Sequence, residues 1–376
     1  MPLRMMEMKR VIVVGAGIIG LVLARELARG GIPVTVYDSK AHVADKTAKA
    51  SGIFSKEGLA KIAIKYDRAI VNELNGAVIF AGGESMRVGA KTTKAYVLDR
   101  GIFAECCADE ARAAGTDIVM GRRLTRDDIV QLAKDNDNVV VGADGVVSTV
   151  ASAIGFPPIK EYVLTYKAEY RDAAVPDLHK VGLFFSKKIA RRFFGWTVPY
   201  SKSKLEVGIG ISSLSRGNSS AAFNAFAKTP YMQEALGGAS KVAGYASMIP
   251  LEWRRRTVMG NVLLVGDAAG QVKATTGGGV VFGASCARIA ADAIVAAFRK
   301  GRPLAAYEKA WRREHELDLR LHRIAHSYYS MLGDRGFSAM IKLSKVMGID
   351  SFLGTYGDMD RPTLIIRRFF LRGISE

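Results

Sequence analysis

Cysteine is scarce in this chain: Cys106, Cys107 and Cys286 are the whole complement among 376 residues. Their spacing offers neither the paired ligands of a metal site nor a disulfide framework, so they read as packing residues in a reducing compartment, and no metal is expected. Long hydrophobic runs are also missing. No segment approaches the ~18 uncharged apolar residues of a spanning helix. The amino terminus runs almost directly into a strand at Val11, without the charged region, apolar run and cleavage site of a signal peptide, so none is expected. Internal repeats and low-complexity linkers are absent. These absences together point to a soluble or peripheral protein.

Acidic residues are outnumbered, 36 against 54 lysines and arginines, which leaves a net charge of +18. Such a balance points to an anionic partner, whether nucleic acid, lipid headgroups or a phosphorylated substrate, or to a generally basic surface. The basic residues are dispersed and compose no reading module, which argues against nucleic acid. With 49% apolar residues the chain can bury a sizeable core, and its length suits two interleaved domains or one large domain with a helical appendage.

Glycine, in contrast, is placed with purpose. Val11 to Val14 is a short apolar strand, followed by Gly15-Ala16-Gly17-Ile18-Ile19-Gly20, an apolar-periodic helix to Ala28, a second strand Val34 to Tyr37, and Asp38. This is the order of a dinucleotide-binding unit. Gly15 permits the tight turn, Gly17 lets the backbone approach a pyrophosphate, Gly20 lets helix and strand pack closely, and Asp38 stands where a carboxylate takes ribose hydroxyls.

The second glycine-rich stretch runs from Gly260 to Gly283. It reads as a buried strand (Val262 to Val265), Asp267 at its carboxyl end, the loop Gly277-Gly278-Gly279, and a helix rich in small residues that runs to Lys300. An acid at a strand end beside a helix amino terminus can hold a polyhydroxyl chain with one group and an anionic ring edge with the other, which suits a flavin.

Between these stretches, Ala50 to Ser55 is rich in small residues, and Ala77 to Ala95 alternates like strands around a Gly82-Gly83 turn, as part of a second, smaller sheet. Tyr96 to Arg100 ends in a charged pair, a helix is expected over Ile102 to Ala114, and a strand over Asp117 to Met120. Asn138 to Gly145 reads as a buried strand ending in an acid–glycine pair at Asp144, with Ser148 close behind. Strands are expected at Tyr162 to Tyr170, Val181 to Phe185, Arg192 to Pro199 and Leu205 to Ile211, then a helix over Ala221 to Leu236 and a strand over Val242 to Pro250. His179 reads as a surface residue. Leu304 to Met331 carries a helical apolar stripe through Tyr307, Ala310, Trp311, Leu317, Leu321, Ile324, Tyr328 and Met331, and the tail Thr363 to Arg372 sets Leu364, Ile365, Ile366, Phe369, Phe370 and Leu371 against arginines. Both suit a membrane surface, or helices packed on the core with a solvated basic face.

Four separated pieces, Gly15-x-Gly17-x-x-Gly20 with Asp38, Asp99-Arg100, Gly142-Ala143-Asp144-Gly145, and Gly266-Asp267-Ala268-Ala269-Gly270 with its Gly277 to Gly279 loop, together resemble the flavoproteins of the p-hydroxybenzoate hydroxylase fold. Within that group the chain is similar to the geranylgeranyl reductase family, which includes the archaeal digeranylgeranylglycerophospholipid reductases. Gly270 to Gly279 and Phe194-Gly-Trp196-Thr-Val-Pro199-Tyr200 carry that likeness, which covers roughly residues 9 to 300.

The resemblance implies an α/β protein, α+β overall. A Rossmann-like FAD-binding domain is interrupted by an antiparallel substrate sheet and followed by carboxyl-terminal helices. The expected division is 1–50, 96–160 and 256–304 for the FAD domain, 51–95 and 161–255 for the substrate domain, and 305–376 for the helical region. It places FAD at Gly15, Gly17, Gly20, Asp38, Arg100, Asp267 and the Gly277, Gly278, Gly279 backbone, with Asp144 supporting the cofactor loop. Gly52, Phe194, Trp196 and Pro199 are expected to line a pocket for a prenyl lipid.

The sequence departs from the family pattern in several places. Phe194, Val198 and Tyr200 stand where Tyr, Phe and Lys are usual, Ala274 stands where a proline is usual, and no cysteine lies near Ala50.

The implied reaction is hydride delivery from reduced flavin to a trisubstituted alkene, with a proton added at the other carbon. Ser51 and Tyr200 are candidate acids by location. The electron donor is NAD(P)H, a ferredoxin or another redox protein, or a deazaflavin, since the single dinucleotide fingerprint is assigned to FAD. The +18 charge suits an anionic membrane surface, and a cytoplasmic protein peripheral to it. Two alternatives remain: a flavin-dependent monooxygenase or halogenase of the same fold, and a flavin electron-transfer protein serving a quinone or protein partner.

Overall fold

The computed structural model describes residues 10–45, 50–215 and 217–372. The chain opens with β1 (Arg10–Val14), α1 (Ile18–Arg29) and β2 (Val34–Tyr37). β3 (Ile53–Ser55), α2 (Lys56–Ile62), β4 (Ile70–Leu74), β5 (Gly76–Ala81), β6 (Glu84–Gly89) and β7 (Ala95–Leu98) follow. The chain then forms α3 (Arg100–Ala113), β8 (Asp117–Val119), α4 (Arg126–Lys134), β9 (Asn138–Gly142) and α5 (Thr149–Ile154).

The next segment runs through β10 (Tyr162–Arg171), β11 (Lys180–Phe185), β12 (Gly195–Pro199), β13 (Leu205–Ser212), α6 (Ser219–Ala227), α7 (Pro230–Leu236) and β14 (Ser240–Pro250). β15 (Val258–Met259) and β16 (Val262–Leu264) lead to α8 (Val280–Lys300), α9 (Ala306–Met331), α10 (Asp334–Val346), α11 (Ile349–Tyr356) and α12 (Pro362–Arg372).

Six strands form the first sheet in the order β15-β16-β9-β1-β2-β8, parallel except for the β15 edge. Val11 to Val14 and all of β9 are buried, as strands covered on both faces must be. α1, α3 and α8 cover one face with a continuous apolar core that includes Leu21, Leu27, Phe103, Ala287 and Ile294. The second sheet has seven strands, β14-β10-β13-β12-β11-β5-β6, antiparallel except where β11 pairs with β5. α6 and α7 cover its far face through Phe223, Phe226 and Met232. The mixed α/β class expected from the sequence is the one observed.

Several elements differ from their expected limits. The stretch 51–95 is split between two sheets: β3 and β4 flank β7 in a three-stranded sheet, while β5 and β6 join the seven-stranded one. The helix expected over Ala221 to Leu236 breaks after Ala227, because Pro230 has no N–H to continue it and instead starts α7. β12 begins at Gly195 rather than Arg192, whose φ of 61° lies in the left-handed region. α8 is long and apolar enough to cross a membrane, although Arg288 and Asp292 interrupt its apolar run and half of its most apolar stretch is buried.

The largest departure is in α9. Tyr307 and Trp311 are buried as expected, but Leu317, Ile324, Tyr328 and Met331 are 59–73% exposed. The buried face of the second half carries His315, Asp318, Leu319, His322 and His326 instead. Each of the polar four finds a partner there: His315 with Ser285, Asp318 with Thr363, His322 with Thr275, and His326 with the Arg192 carbonyl. Satisfied polar groups can be buried where unsatisfied ones cannot. Of the tail, Leu364 and Ile365 are partly buried and Ile366 is 43% exposed, while the side chains of Phe369, Phe370 and Leu371 lie outside the described residues.

Candidate functional site

The first half of the site is the turn between β1 and α1. Gly15 has φ +112°, and a side chain there would overlap the Ala143 carbonyl, so this turn lies directly on the β9–α5 turn. A side chain at Gly20 would overlap the Gly15 carbonyl, whereas Gly17 faces open space. No side chain caps α1, which leaves the positive end of the helix facing that space. Asp38 accepts the Ala16 N–H at 2.8 Å and the Lys40 N–H at 2.9 Å, tying the end of β2 to the glycine turn. Asp144 accepts the Ser148 hydroxyl at 2.6 Å and the Val150 N–H at 3.0 Å, and so fixes the start of α5 behind Gly15. Burial raises its carboxyl above the usual range, against the pull of these hydrogen bonds.

The second half joins Arg100, Asp267 and the Gly277 loop. Asp99 caps α3, accepting N–H groups of Gly101 and Ile102 at 2.9 and 3.0 Å, and this places the Arg100 guanidinium 5.4 Å from the Phe54 ring. Arg100 Nε is buried with no hydrogen-bond partner. Burial raises the Asp267 carboxyl, while Arg100 draws it down. Gly277 has φ +75°, and a Cβ on it would meet Ile249 at 2.6 Å; one on Gly279 would meet Asp267 Oδ1 at 2.9 Å. α8 also starts without a side-chain cap, and Gly283 lies against Ile19, where a Cβ would meet Cδ1 at 2.9 Å. The two uncapped helix ends are therefore neighbours. Two positive helix ends, an orphaned guanidinium nitrogen and the open space at Gly17 fit the anionic, polyhydroxyl FAD.

Ser51 and Tyr200, the two candidate acids, converge on one group that sequence reasoning missed: Glu206, fully buried on β13. Its Oε1 accepts the Ser51 hydroxyl and the Trp196 indole N–H, the latter at 3.0 Å. Its Oε2 accepts the Lys167 ammonium at 2.6 Å and the Tyr200 hydroxyl at 3.3 Å. Lys167 is itself buried, reaches the Ala50 carbonyl at 3.3 Å, and lies 5.5 Å from the Tyr245 ring. Gly208 stands opposite both Lys167 and Trp196, so no side chain separates them from Glu206 two residues away. The signal was Glu206 at the start of β13, the one charge in an otherwise uncharged and fully buried strand; Lys167 carried less of one, since β10 also holds Glu169 and Arg171.

The remaining pocket residues frame this cluster. Phe194 stacks on Phe193 at 4.3 Å and lies 6.1 Å from Trp196, in an apolar group with Val163, Leu251 and Ala274, just before the Gly277 loop. A side chain at Gly52 would overlap the Leu98 carbonyl, and Gly52 N–H reaches Tyr200. The Pro199 carbonyl accepts Asn72 Nδ2 at 2.8 Å. His179 is exposed, as expected.

Sequence reasoning also missed the closure of the Gly277 loop by the carboxyl-terminal region. Lys273 Nζ donates to Asp360 at 2.6 Å and to the Met359 carbonyl at 3.0 Å, and Asp360 also accepts the Ser55 hydroxyl. His322 Nδ1 lies 2.7 Å from the Thr275 hydroxyl, and burial pushes its pKa down to about 4.

The family model described as FAD dependent oxidoreductase matches residues 10–74. The chain is 27% identical to the digeranylgeranylglycerophospholipid reductase of Methanosarcina acetivorans, with 84% of each chain covered. A geranylgeranyl bacteriochlorophyll reductase-like structure from Thermoplasma acidophilum superposes with a TM-score of 0.78 at 21% identity, over 95% of this chain and 94% of that one. A flavin-dependent brominase superposes with a TM-score of 0.73 at 14% identity, over 98% and 100%, so reductases and halogenases share this fold.

Proposed function

We propose that this chain, an FAD-dependent oxidoreductase related to the archaeal digeranylgeranylglycerophospholipid reductases, saturates C=C double bonds of geranylgeranyl chains in isoprenoid membrane lipids or their precursors. One observation supports this reading above others: an apolar wall of Phe193, Phe194, Trp196 and Ile249 meets Ala274 of the flavin loop, with Tyr200 and Ser51 near one end of it. Trp196 and Ile249 are the partly exposed members of this wall, and a hydrocarbon chain gains roughly 25 cal/mol for each Å² of them that it covers. FAD, when reduced, supplies the hydride. Tyr200 supplies the proton: its phenol is held well above its ordinary pKa by burial and then by Glu206, so it stays protonated at neutral pH. The wall would keep water from the reacting carbons, and the uncapped start of α8 would stabilise negative charge on a flavin bound beside it.

The reading is tested by incubating the flavin-loaded protein anaerobically with dithionite and geranylgeranyl lipids. A mass gain of two hydrogens per double bond is expected. Oxygen-dependent hydroxylation or halogenation of an aromatic substrate would establish the monooxygenase or halogenase reading instead, and rapid quinone reduction with no saturated lipid the electron-transfer one.

The same reading places the protein at the cytoplasmic face of an anionic membrane. Its support is the outer face of α9, where exposed Leu317, Ile324, Tyr328 and Met331 alternate with Arg313 and Arg320; α10 also exposes Leu343 and Val346 beside Lys342 and Lys345. Co-sedimentation with anionic liposomes at low salt, weakened by added salt, is expected. Failure to sediment with them at low ionic strength would refute this placement.

A further inference from the structure

We propose that Glu206, paired with Lys167, is the positioning residue of this site: one ionised carboxylate fixes the Ser51 hydroxyl, the Trp196 indole and the Tyr200 hydroxyl in a single arrangement and replenishes the proton that Tyr200 donates. This rests on the alkene-reduction reading above. Four donors converge on two oxygens, a number that fills the lone pairs of an ionised carboxylate and leaves none for a proton. Lys167 is the counter-ion that allows this charge to be buried.

Tyr200 is the loosest of the four donors, at 3.3 Å against 2.6 Å for Lys167 and 3.0 Å for Trp196. Its O–H can therefore turn about the ring C–O bond toward a substrate at small cost. On donation the O–H bond breaks and a C–H bond forms at the alkene carbon that does not receive the hydride. The phenolate then regains a proton from the Lys167 ammonium through the Glu206 Oε2 site that the turned Tyr200 hydroxyl has vacated, and the lysine is reprotonated from bulk solvent when the product leaves, which accounts for the one proton the reduction consumes.

The groups facing Tyr200 come from several elements. Glu206 and Glu169 each raise its pKa, Gly52 N–H lowers it, Arg100 lies within electrostatic reach, and the Lys204 ammonium sits 5.0 Å from its ring while paired with Glu169 at 3.1 Å. Burial is the largest cause and does not depend on Glu206; the Glu206 contribution is the part a substitution can remove.

The test uses the full flavin-loaded chain. Lys167→Met and Glu206→Gln are combined, so that no unpaired charge is left buried, and the pair is prepared with and without Tyr200→Phe. The first readout needs no substrate: the ultraviolet absorbance of tyrosinate is followed against pH, and Tyr200 is isolated as the difference from the matching Tyr200→Phe protein. Tyr200 is expected to ionise at a lower pH in the neutral pair than in the wild type. The second is anaerobic reduction of a geranylgeranyl phospholipid. The neutral pair is expected to lower kcat about 10- to 100-fold with KM changed less than about threefold, and adding Tyr200→Phe is expected to cost no more than about a further twofold.

Glu206→Asp, which keeps the charge, is expected to fold, to retain the wild-type Tyr200 ionisation and to recover part of kcat; it carries the same test if the neutral pair does not fold, and a loss of kcat as large as that of Tyr200→Phe, with Tyr200 ionisation shifted down, would then overturn the proposal. Unchanged Tyr200 ionisation in the neutral pair, or losses that multiply with Tyr200→Phe, would also overturn it. If the wild type saturates no prenyl lipid, the reductase reading fails, and the tyrosinate titration alone decides the role of Glu206.

Discussion

The first half of the glycine cradle takes its parts from one short piece of chain, Gly15 to Asp38, whereas the Glu206 cluster draws Ser51, Lys167, Trp196 and Tyr200 from across the fold, with sequence separations up to 155 residues. The cradle works with backbone: absent side chains, a positive φ and free helix ends. The cluster works with side chains brought together by strand register. A backbone device tolerates almost no added atom, while a side-chain device depends on charge balance. Substitutions in the two regions should fail differently.

The largest effect is expected at Gly20. A Cβ there overlaps the Gly15 carbonyl, so Gly20→Val should purify without flavin and lose more than about 4 kcal/mol of stability, seen as a fall in Tm and flavin absorbance. If that variant keeps its flavin, the contrast between the two regions is lost. Next is Glu206→Gln alone, which leaves the buried Lys167 ammonium unpaired and should cost about 3–5 kcal/mol in denaturant unfolding. Its folded fraction should still bind FAD, because the cradle shares no hydrogen bond with Glu206.

Acid should loosen α9 from the flavin loop. The His322 pKa falls from 6.5 to about 4 on folding, mainly through burial. Below pH 6.5 the unfolded chain takes up a proton that the folded chain refuses, so this stability is complete above pH 6.5 and is lost as pH falls toward about 4, by about 3 kcal/mol. His315 and His326 are lowered in the same direction by burial. Denaturant midpoints measured across this range should fall with pH, and His322→Gln should flatten the slope. The smallest effect is expected on the outside of α9: Ile324→Gln should leave stability within about 0.5 kcal/mol while weakening liposome sedimentation, since Ile324 is 65% exposed.

What was legible in the sequence follows the same division. The glycine turns at Gly15 to Gly20 and Gly277 to Gly279 stand out because strand, glycines and helix follow one another directly in the chain, although what Gly15 and Gly277 pack against, Ala143 and Ile249, is far off in sequence. The strands β10, β11 and β13 were readable within a residue or two from alternation, but alternation does not say which face meets the cofactor. Glu206 was visible only as an odd charge in a buried strand, and nothing local ties it to Ser51. α9 misled for a related reason. Its apolar stripe predicts one buried face, yet the histidines on another face find hydrogen-bond partners in Thr275, Ser285 and the Arg192 carbonyl, far off in sequence, and that face is the one buried.

The central claim is that the cradle and the apolar wall serve one reaction, transfer of hydride to a prenyl double bond. Its most direct measurement is the reoxidation of pre-reduced enzyme flavin in the absence of oxygen, followed by absorbance. Addition of a geranylgeranyl phospholipid is expected to reoxidise the flavin, with one C=C bond saturated per flavin oxidised. Flavin that stays reduced until oxygen is admitted, with the lipid unchanged, would contradict it.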